Sequence, residues 1–259
     1  MVTRIGSAFV LICLVSGMSF AADDPFCGKW KMNVSKSKIT GERVKIEEVG
    51  NQKLRFDDGS KSDTIRVDGT DQPLQRGGTM ALTKLGTNSM RMVIKVNGKV
   101  VSSMVHRISD DGQIQTIEGT STRADGTKSE FKVETKRLGS GSGWSGTWES
   151  TKLNFSRPAE FEISAHGSGG LSFYIPARKE KLSMNFDGKD YEPTGPDVPP
   201  GWSSSGKRAD EQTLEVSDKF KGEVVSNSQY RVSPDGNTIT LTEHSKGQPN
   251  PLVIIYDRM

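Results

Sequence analysis

The chain has 259 residues, a formal net charge of +3, 32% hydrophobic residues, three histidines and two cysteines. Acids and bases are interleaved throughout, so the surface offers no electrostatic footprint for nucleic acid or an anionic membrane. The histidines stand alone in sequence, and no Cys/His cluster has a zinc-ligand spacing.

The first residues read as a secretory signal peptide over residues 1–21. Arg4 supplies a short positive region, Ile5 to Phe20 an apolar stretch, and Ser19-Phe20-Ala21 the small residues of a cleavage site. Cys13 follows Ile12 and Cys27 follows Phe26, so neither cysteine sits in a lipobox. No later segment is long and apolar enough to span a membrane. The expected mature product is exported, periplasmic or extracellular, and soluble. Loss of Arg4 takes its net charge from +3 to +2, since every acid lies beyond residue 22. One cysteine, Cys27, then remains, either as a small buried hydrophobe or as a route to a disulfide dimer.

Beyond the leader, the chain repeats itself. Gly28-Lys29-Trp30 is answered by Gly146-Thr147-Trp148, Val67-Asp68-Gly69 by Phe186-Asp187-Gly188, and Arg107-Ile108-Ser109-Asp110-Asp111-Gly112 by Arg231-Val232-Ser233-Pro234-Asp235-Gly236. Each copy closes on a β-rich run with an arginine, Arg137 or Arg258. A period of about 118 to 124 residues exceeds a solenoid repeat, so each copy is a small domain. Gly139-Ser140-Gly141-Ser142-Gly143 has the composition of a flexible linker. The expected domains are 26–138 and 144–259, with a linker at 139–143.

Within each copy the pattern is strand. Met90, Met92, Ile94 and Val96 share one face, with Arg91 and Lys95 on the other. Asn97-Gly98 then marks a hairpin into the strand carrying Val100, Met104 and Ile108. Leu214, Val216 and Phe220, a turn near Lys221-Gly222, and Val224, Tyr230 and Val232 repeat the arrangement. Six Asp-Gly pairs read as turns, since none carries the alternating acids of a calcium loop. No sustained 3.6-residue apolar period appears. The expected fold is all-β: two tandem antiparallel barrels, each of roughly eight or nine short strands, closed so as to leave no exposed edge.

Phe26 to Asn33, with its Gly-x-Trp, resembles the first strand of the lipocalin and fatty-acid-binding protein (calycin) superfamily. The resemblance implies that Trp30 and Trp148 each close one end of a barrel beneath an arginine from a last strand. Within each copy, that pairs Trp30 with Arg137 and Trp148 with Arg258. A further resemblance is to small exported lipocalin-like bacterial proteins, carried by Gly28 to Lys38, Asp187 to Gly195, Arg231 to Thr242 and Ile255 to Arg258. It brings no activity with it. The first copy has Gln72-Pro73-Leu74 where the pattern has Tyr-Pro-x-Thr-Gly, and the second lacks the Asn-x-x-Lys-Ser-Lys element.

Residues for catalysis are sparse. No Gly-x-Ser-x-Gly elbow or phosphate loop is present. His106 lies on an alternating strand with Tyr230 as its counterpart, which suits a packed ring. Tyr191 to Trp202 holds Pro193, Pro196, Pro199 and Pro200 and excludes a central strand. Its aromatics Tyr191 and Trp202 either cover a barrel mouth or pin a long connection. Arg107 and Arg231 occupy equivalent positions, inside against an anionic head group or outside in solvent. Together, Tyr191, Trp202, Arg107 and Arg231 are the candidate ligand-binding residues. The expected function is non-catalytic binding of a small apolar or amphipathic molecule, with no cofactor and no metal. The alternatives are an envelope structural or interaction module with filled barrels, and an enzyme using Cys27, His106 or Arg231.

Overall fold

Alternating side chains and turn residues with positive φ set the strand boundaries. Asn97 (φ 49°) and Gly98 (φ 76°) both adopt left-handed conformations, as a two-residue hairpin matched to strand twist requires, and Lys221 (φ 52°) and Gly222 (φ 81°) repeat it. The Ser-x-Asp-Gly turns are also duplicated. Asp111 Oδ1 accepts from the Gln113 amide (3.0 Å) and Asp235 Oδ1 from the Asn237 amide (3.1 Å).

The computed structural model describes residues 24–259, so the predicted leader over residues 1–21 lies outside the described residues. The chain opens with β1 (Gly28–Met32). Next come β2 (Arg43–Glu48), β3 (Lys53–Asp57), β4 (Ser62–Arg66), β5 (Gln72–Pro73), β6 (Thr79–Gly86), β7 (Ser89–Val96), β8 (Lys99–Ile108), β9 (Ile114–Thr122), β10 (Lys128–Ser142) and β11 (Ser145–Phe155). The remainder are β12 (Glu160–His166), β13 (Gly170–Ile175), β14 (Glu180–Met184), β15 (Trp202–Asp210), β16 (Thr213–Phe220), β17 (Glu223–Val232), β18 (Thr238–Ser245) and β19 (Leu252–Arg258). All pair antiparallel, in two nearly closed barrel-like sheets. The first barrel runs β4-β3-β2-β11-β10-β9-β8-β7-β6-β5, and the second β14-β13-β12-β1-β19-β18-β17-β16-β15. Among the described residues no helix is long and apolar enough to cross a membrane.

One strand of each copy is exchanged. Strand β1 lies between β12 and β19, and β11 lies between β10 and β2. The first barrel is therefore residues 43–155, and the second combines 28–32 with 160–258. The boundaries read from the repeat, 26–138 and 144–259, are corrected accordingly. The cause is local. Gly139 to Gly143 is not a linker between barrels but the end of β10 and its turn into β11, with Ser142 paired to Ser145. A strand that follows a tight turn closes onto its predecessor with little loop entropy, which leaves β1 as the neighbour of β19.

The exchange re-pairs the end-closing residues. The Arg258 guanidinium carbon lies 4.2 Å from the Trp30 ring centroid, and that of Arg137 4.2 Å from Trp148. The expected pairs Trp30–Arg137 and Trp148–Arg258 are thus corrected to Trp30–Arg258 and Trp148–Arg137. Trp30 Nε1 donates to Phe26 O (2.9 Å) and Trp148 Nε1 to Trp144 O (3.2 Å). Arg258 donates to the carbonyls of Gly236, Cys27 and Pro25, and Arg137 to those of Gly112, Ser145 and Gly143. The glycine of Gly-x-Trp has a steric reason as well: a Cβ on Gly146 would stand 2.6 Å from Arg137 Nη1. Cys27 packs against the second core.

Two chain crossings join the barrels, with further contacts across the junction. Gln248 accepts from the Arg43 amide (2.7 Å) and donates to Asp58 O (2.7 Å), and Asn97 Nδ2 donates to Pro196 O (2.8 Å). The proline-rich segment fills the seam of the second barrel. Tyr191 bridges to Ser204 on β15, and Thr194 to Lys181 on β14.

Candidate functional site

Register alignment of the two barrels compares their interiors position by position. In the first barrel, the inward rows across β7, β8 and β9 are Met90–His106–Ile117, Met92–Met104–Gly119 and Ile94–Ser102–Ser121. Across β16, β17 and β18 they are Leu214–Tyr230–Leu241, Val216–Ser228–Glu243 and Asp218–Ser226–Ser245. Long, flexible methionines suit irregular gaps, and Met80, Met90, Met92 and Met104 pack the first interior. A Cβ on Gly119 would lie 2.6 Å from Met104 Cβ and 2.8 Å from Phe131 Cζ, so that row has no spare volume.

The second interior holds a cavity of about 180 Å³, walled by residues that include Phe161, Phe173, Leu182, Val216, Tyr230 and Tyr256. Phe161 and Tyr256 meet edge to face, with centroids 4.6 Å apart. Tyr256 is only 7% exposed. Neither its hydroxyl nor that of Tyr230 has a hydrogen-bond partner among the described residues. Burial raises both phenols, that of Tyr256 to about 12 with the Glu243 charge adding to the effect.

Two carboxylates, Asp218 and Glu180, complete the wall. Asp218 also lines a cleft of about 290 Å³ between the barrels, with Glu243, Trp202 and, from the first barrel, Glu42, Asp58 and Arg76. Asp218 accepts from Ser204 Oγ (2.6 Å) and Ser226 Oγ (3.2 Å), and Glu243 from Ser245 Oγ (3.1 Å). Burial pushes the Glu243 carboxyl up, and the Asp218 charge pushes it further. Of the nearby cations, Arg76 pairs with Asp58 (2.6 Å) and Arg178 with Glu180 (3.8 Å), while Lys246 lines the cleft, exposed, without an ion pair to either carboxylate. Neither Asp218 nor Glu243 has a salt-bridge partner among the described residues. No group of three or more His, Cys, Asp and Glu among the described residues is arranged to hold a metal ion.

The structure scatters the four candidate ligand-binding residues. Trp202 alone lines the cleft, its ring 5.4 Å from Phe220. Tyr191 is tied into the seam, its hydroxyl donating to Asp187 (3.1 Å). Arg107 and Arg231 are exposed on the outer face, because His106 and Ile108, like Tyr230 and Val232, take the inward positions. Arg107 reaches Glu118 at 3.3 Å. Placing those two arginines against a ligand head group is therefore corrected. Sequence singled out Tyr230 only as the packed counterpart of His106, and Asp218, Glu243 and Tyr256 not at all, although Asp218 breaks the apolar series Leu214, Val216, Phe220, and Glu243 follows Ile239 and Leu241 in phase.

Two other features are distinct from this site. A depression of about 530 Å³ lies over β15–β18 and is lined largely by outward-facing polar side chains such as Lys207, Glu215, Asn227 and Gln229. In the first barrel, His106, Gln115 and Thr135 are buried, and both imidazole nitrogens, Gln115 Nε2 and Thr135 Oγ1 lack partners. Compared with known proteins, the sequence matches no family model and no curated protein.

Proposed function

We propose that this protein is an exported, non-catalytic binding protein whose second barrel takes a small apolar or amphipathic molecule in its lumen, while the first barrel, its central rows packed with methionine and its pocket of about 370 Å³ confined to the Trp144 end, is a structural partner. The observation that carries the reading is the aromatic-walled cavity of about 180 Å³ in the second barrel, where the smaller Ser204, Val216 and Ser228 stand in the register positions of Met80, Met92 and Met104 of the first. A lipocalin-like ancestry is supported by the repeated Gly-x-Trp and the arginine stacked on each tryptophan. Native mass spectrometry of the mature protein, purified from the envelope of a source cell, tests the binding reading. A small adduct lost on denaturation is expected. A bare chain that stays bare after incubation with a lipid extract overturns the reading. The envelope interaction reading draws on the polar depression over β15–β18, and recovery of a protein adduct would favour it.

A further inference from the structure

We propose that the ligand of the second barrel is an amphipathic cation, an alkyl- or arylalkyl-ammonium, with its apolar part in the lumen and its charged head between Asp218 and Glu243. This rests on the lumen being a binding site and adds the chemical class of what it binds.

The barrel does not need these carboxylates. The first barrel closes with Ile94 and Gly119 at the same two positions. Removing a carboxylate from water without a cationic partner is unfavourable, so such groups are ordinarily paired. Here, both are half-buried and held only by serine hydroxyls. Each Asp218 oxygen accepts one hydroxyl and keeps capacity for a second donor. An ammonium supplies three donors and the missing charge together.

The tyrosines of the lumen are an independent sign of a ligand. Tyr256 is 7% exposed and lines the lumen with its hydroxyl unpartnered among the described residues, and the half-buried Tyr230 faces the same space. Phenols that face a cavity with no protein partner leave their hydrogen-bonding capacity to whatever enters it. Both hydroxyls are available to a head group at the polar end or to a polar substituent further in. Asp218 borders the lumen and the cleft alike, and Glu243 lines the cleft beside it, so the two carboxylates stand at the polar end of the lumen. The spread of the carboxylates fits an organic cation better than a metal ion, given that no described cluster has metal-holding geometry.

The test uses the full mature chain and three probes of one chain length: n-octylammonium, octanoate and 1-octanol. Binding is read by titration calorimetry and by the change in intrinsic tryptophan fluorescence, to which Trp202 at the cleft contributes. Octylammonium is expected to bind at least about tenfold tighter than either other probe, the scale of a charge-assisted hydrogen bond. D218N is expected to abolish that preference, read as the ratio of octylammonium to octanol affinity within each protein. E243Q, with its fold checked by circular dichroism, is a second route to the same result should D218N fold poorly. Equal binding of amine and alcohol, or tighter binding of octanoate, overturns the head-group assignment and leaves the lumen reading standing. An amine preference that neither variant alters also overturns it. If none of the three probes binds, the lumen reading falls and this inference with it.

Discussion

Trp30→Ala should destabilise the second barrel, not the one its own sequence copy suggests. Trp30 is fully buried between β12 and β19, stacks under Arg258 at 4.2 Å, and belongs to the core that includes Ile163, Leu214 and Tyr256. Truncation of a core tryptophan to alanine typically removes 3–5 kcal/mol, and loss of a cation–π contact on a desolvated ring adds about 1–2 kcal/mol. Arg258 keeps its three carbonyl partners, which limits the loss, so about 4 kcal/mol is expected. A domain has about 5–15 kcal/mol in all, so the second barrel should be close to unfolding at 37 °C. Urea denaturation gives the total, and hydrogen exchange read by mass spectrometry gives the location. Amides of β12 and β19 should lose protection while β10 and β2 keep theirs. Trp148→Ala should show the mirror pattern, with β10 and β2 affected. If Trp30→Ala exposes β10 and spares β19, the strand exchange is wrong.

His106 should make stability depend on mild acid. Burial pushes its imidazole from 6.5 down to about 4, and the neighbouring Gln115 only partly opposes this. The folded state therefore resists protonation that the unfolded chain accepts near pH 6.5. The contribution is complete above that pH and is lost as pH falls toward 4, by about 3 kcal/mol for a change of that size. Urea midpoints measured across the window should slope for the wild type and flatten for His106→Phe. A wild type that is flat from pH 6.5 to 4 would refute the burial argument. Gly119→Ala should cost about 1–3 kcal/mol by overpacking against Met104 and Phe131, and an unchanged thermal midpoint would show that the row has room. Lys221→Asn should raise stability by about 0.5–1 kcal/mol, because asparagine tolerates the left-handed conformation that Lys221 adopts and that Asn97 already occupies in the equivalent turn. A lower midpoint for that variant would mean that the stacking of Lys221 on Phe220 outweighs the backbone gain.

Much of this fold is local, and so was legible in the chain. Asn97-Gly98 and the Asp-Gly turns dictate where strands reverse, and alternation along Met90 to Val96 dictates which side chains share a face. The same turns could be counted twice, which exposed the duplication. What alternation does not specify is the neighbour. Strands β1 and β11 carry the same Gly-x-Trp and suit either barrel. The choice was made by the turn at Gly143, where a glycine- and serine-rich composition that reads as a linker instead forms a hairpin whose Gly143 and Ser145 carbonyls are held by Arg137. The candidate site was legible only in part, because Trp202 was noticed for its aromatic ring while Asp218 and Glu243 were lost among many carboxylates.

What distinguishes those carboxylates is their phase. Asp218 sits where a strand otherwise reads Leu214, Val216, Phe220, and Ile94 holds its place in the first barrel. A duplicated chain contains its own comparison: both copies must solve the same packing problem, so inward positions that stay apolar in one and turn charged in the other are not dictated by the fold. The comparison also works in the opposite direction. Arg107 and Arg231 are matched in both copies and both lie exposed, and Arg137 and Arg258 are matched in stacking on a tryptophan. Sameness between the copies tracks architecture, and the differences cluster around one lumen. If octylammonium selects that lumen and D218N abolishes the selection, the clustering marks where one copy acquired a ligand while the other kept the fold.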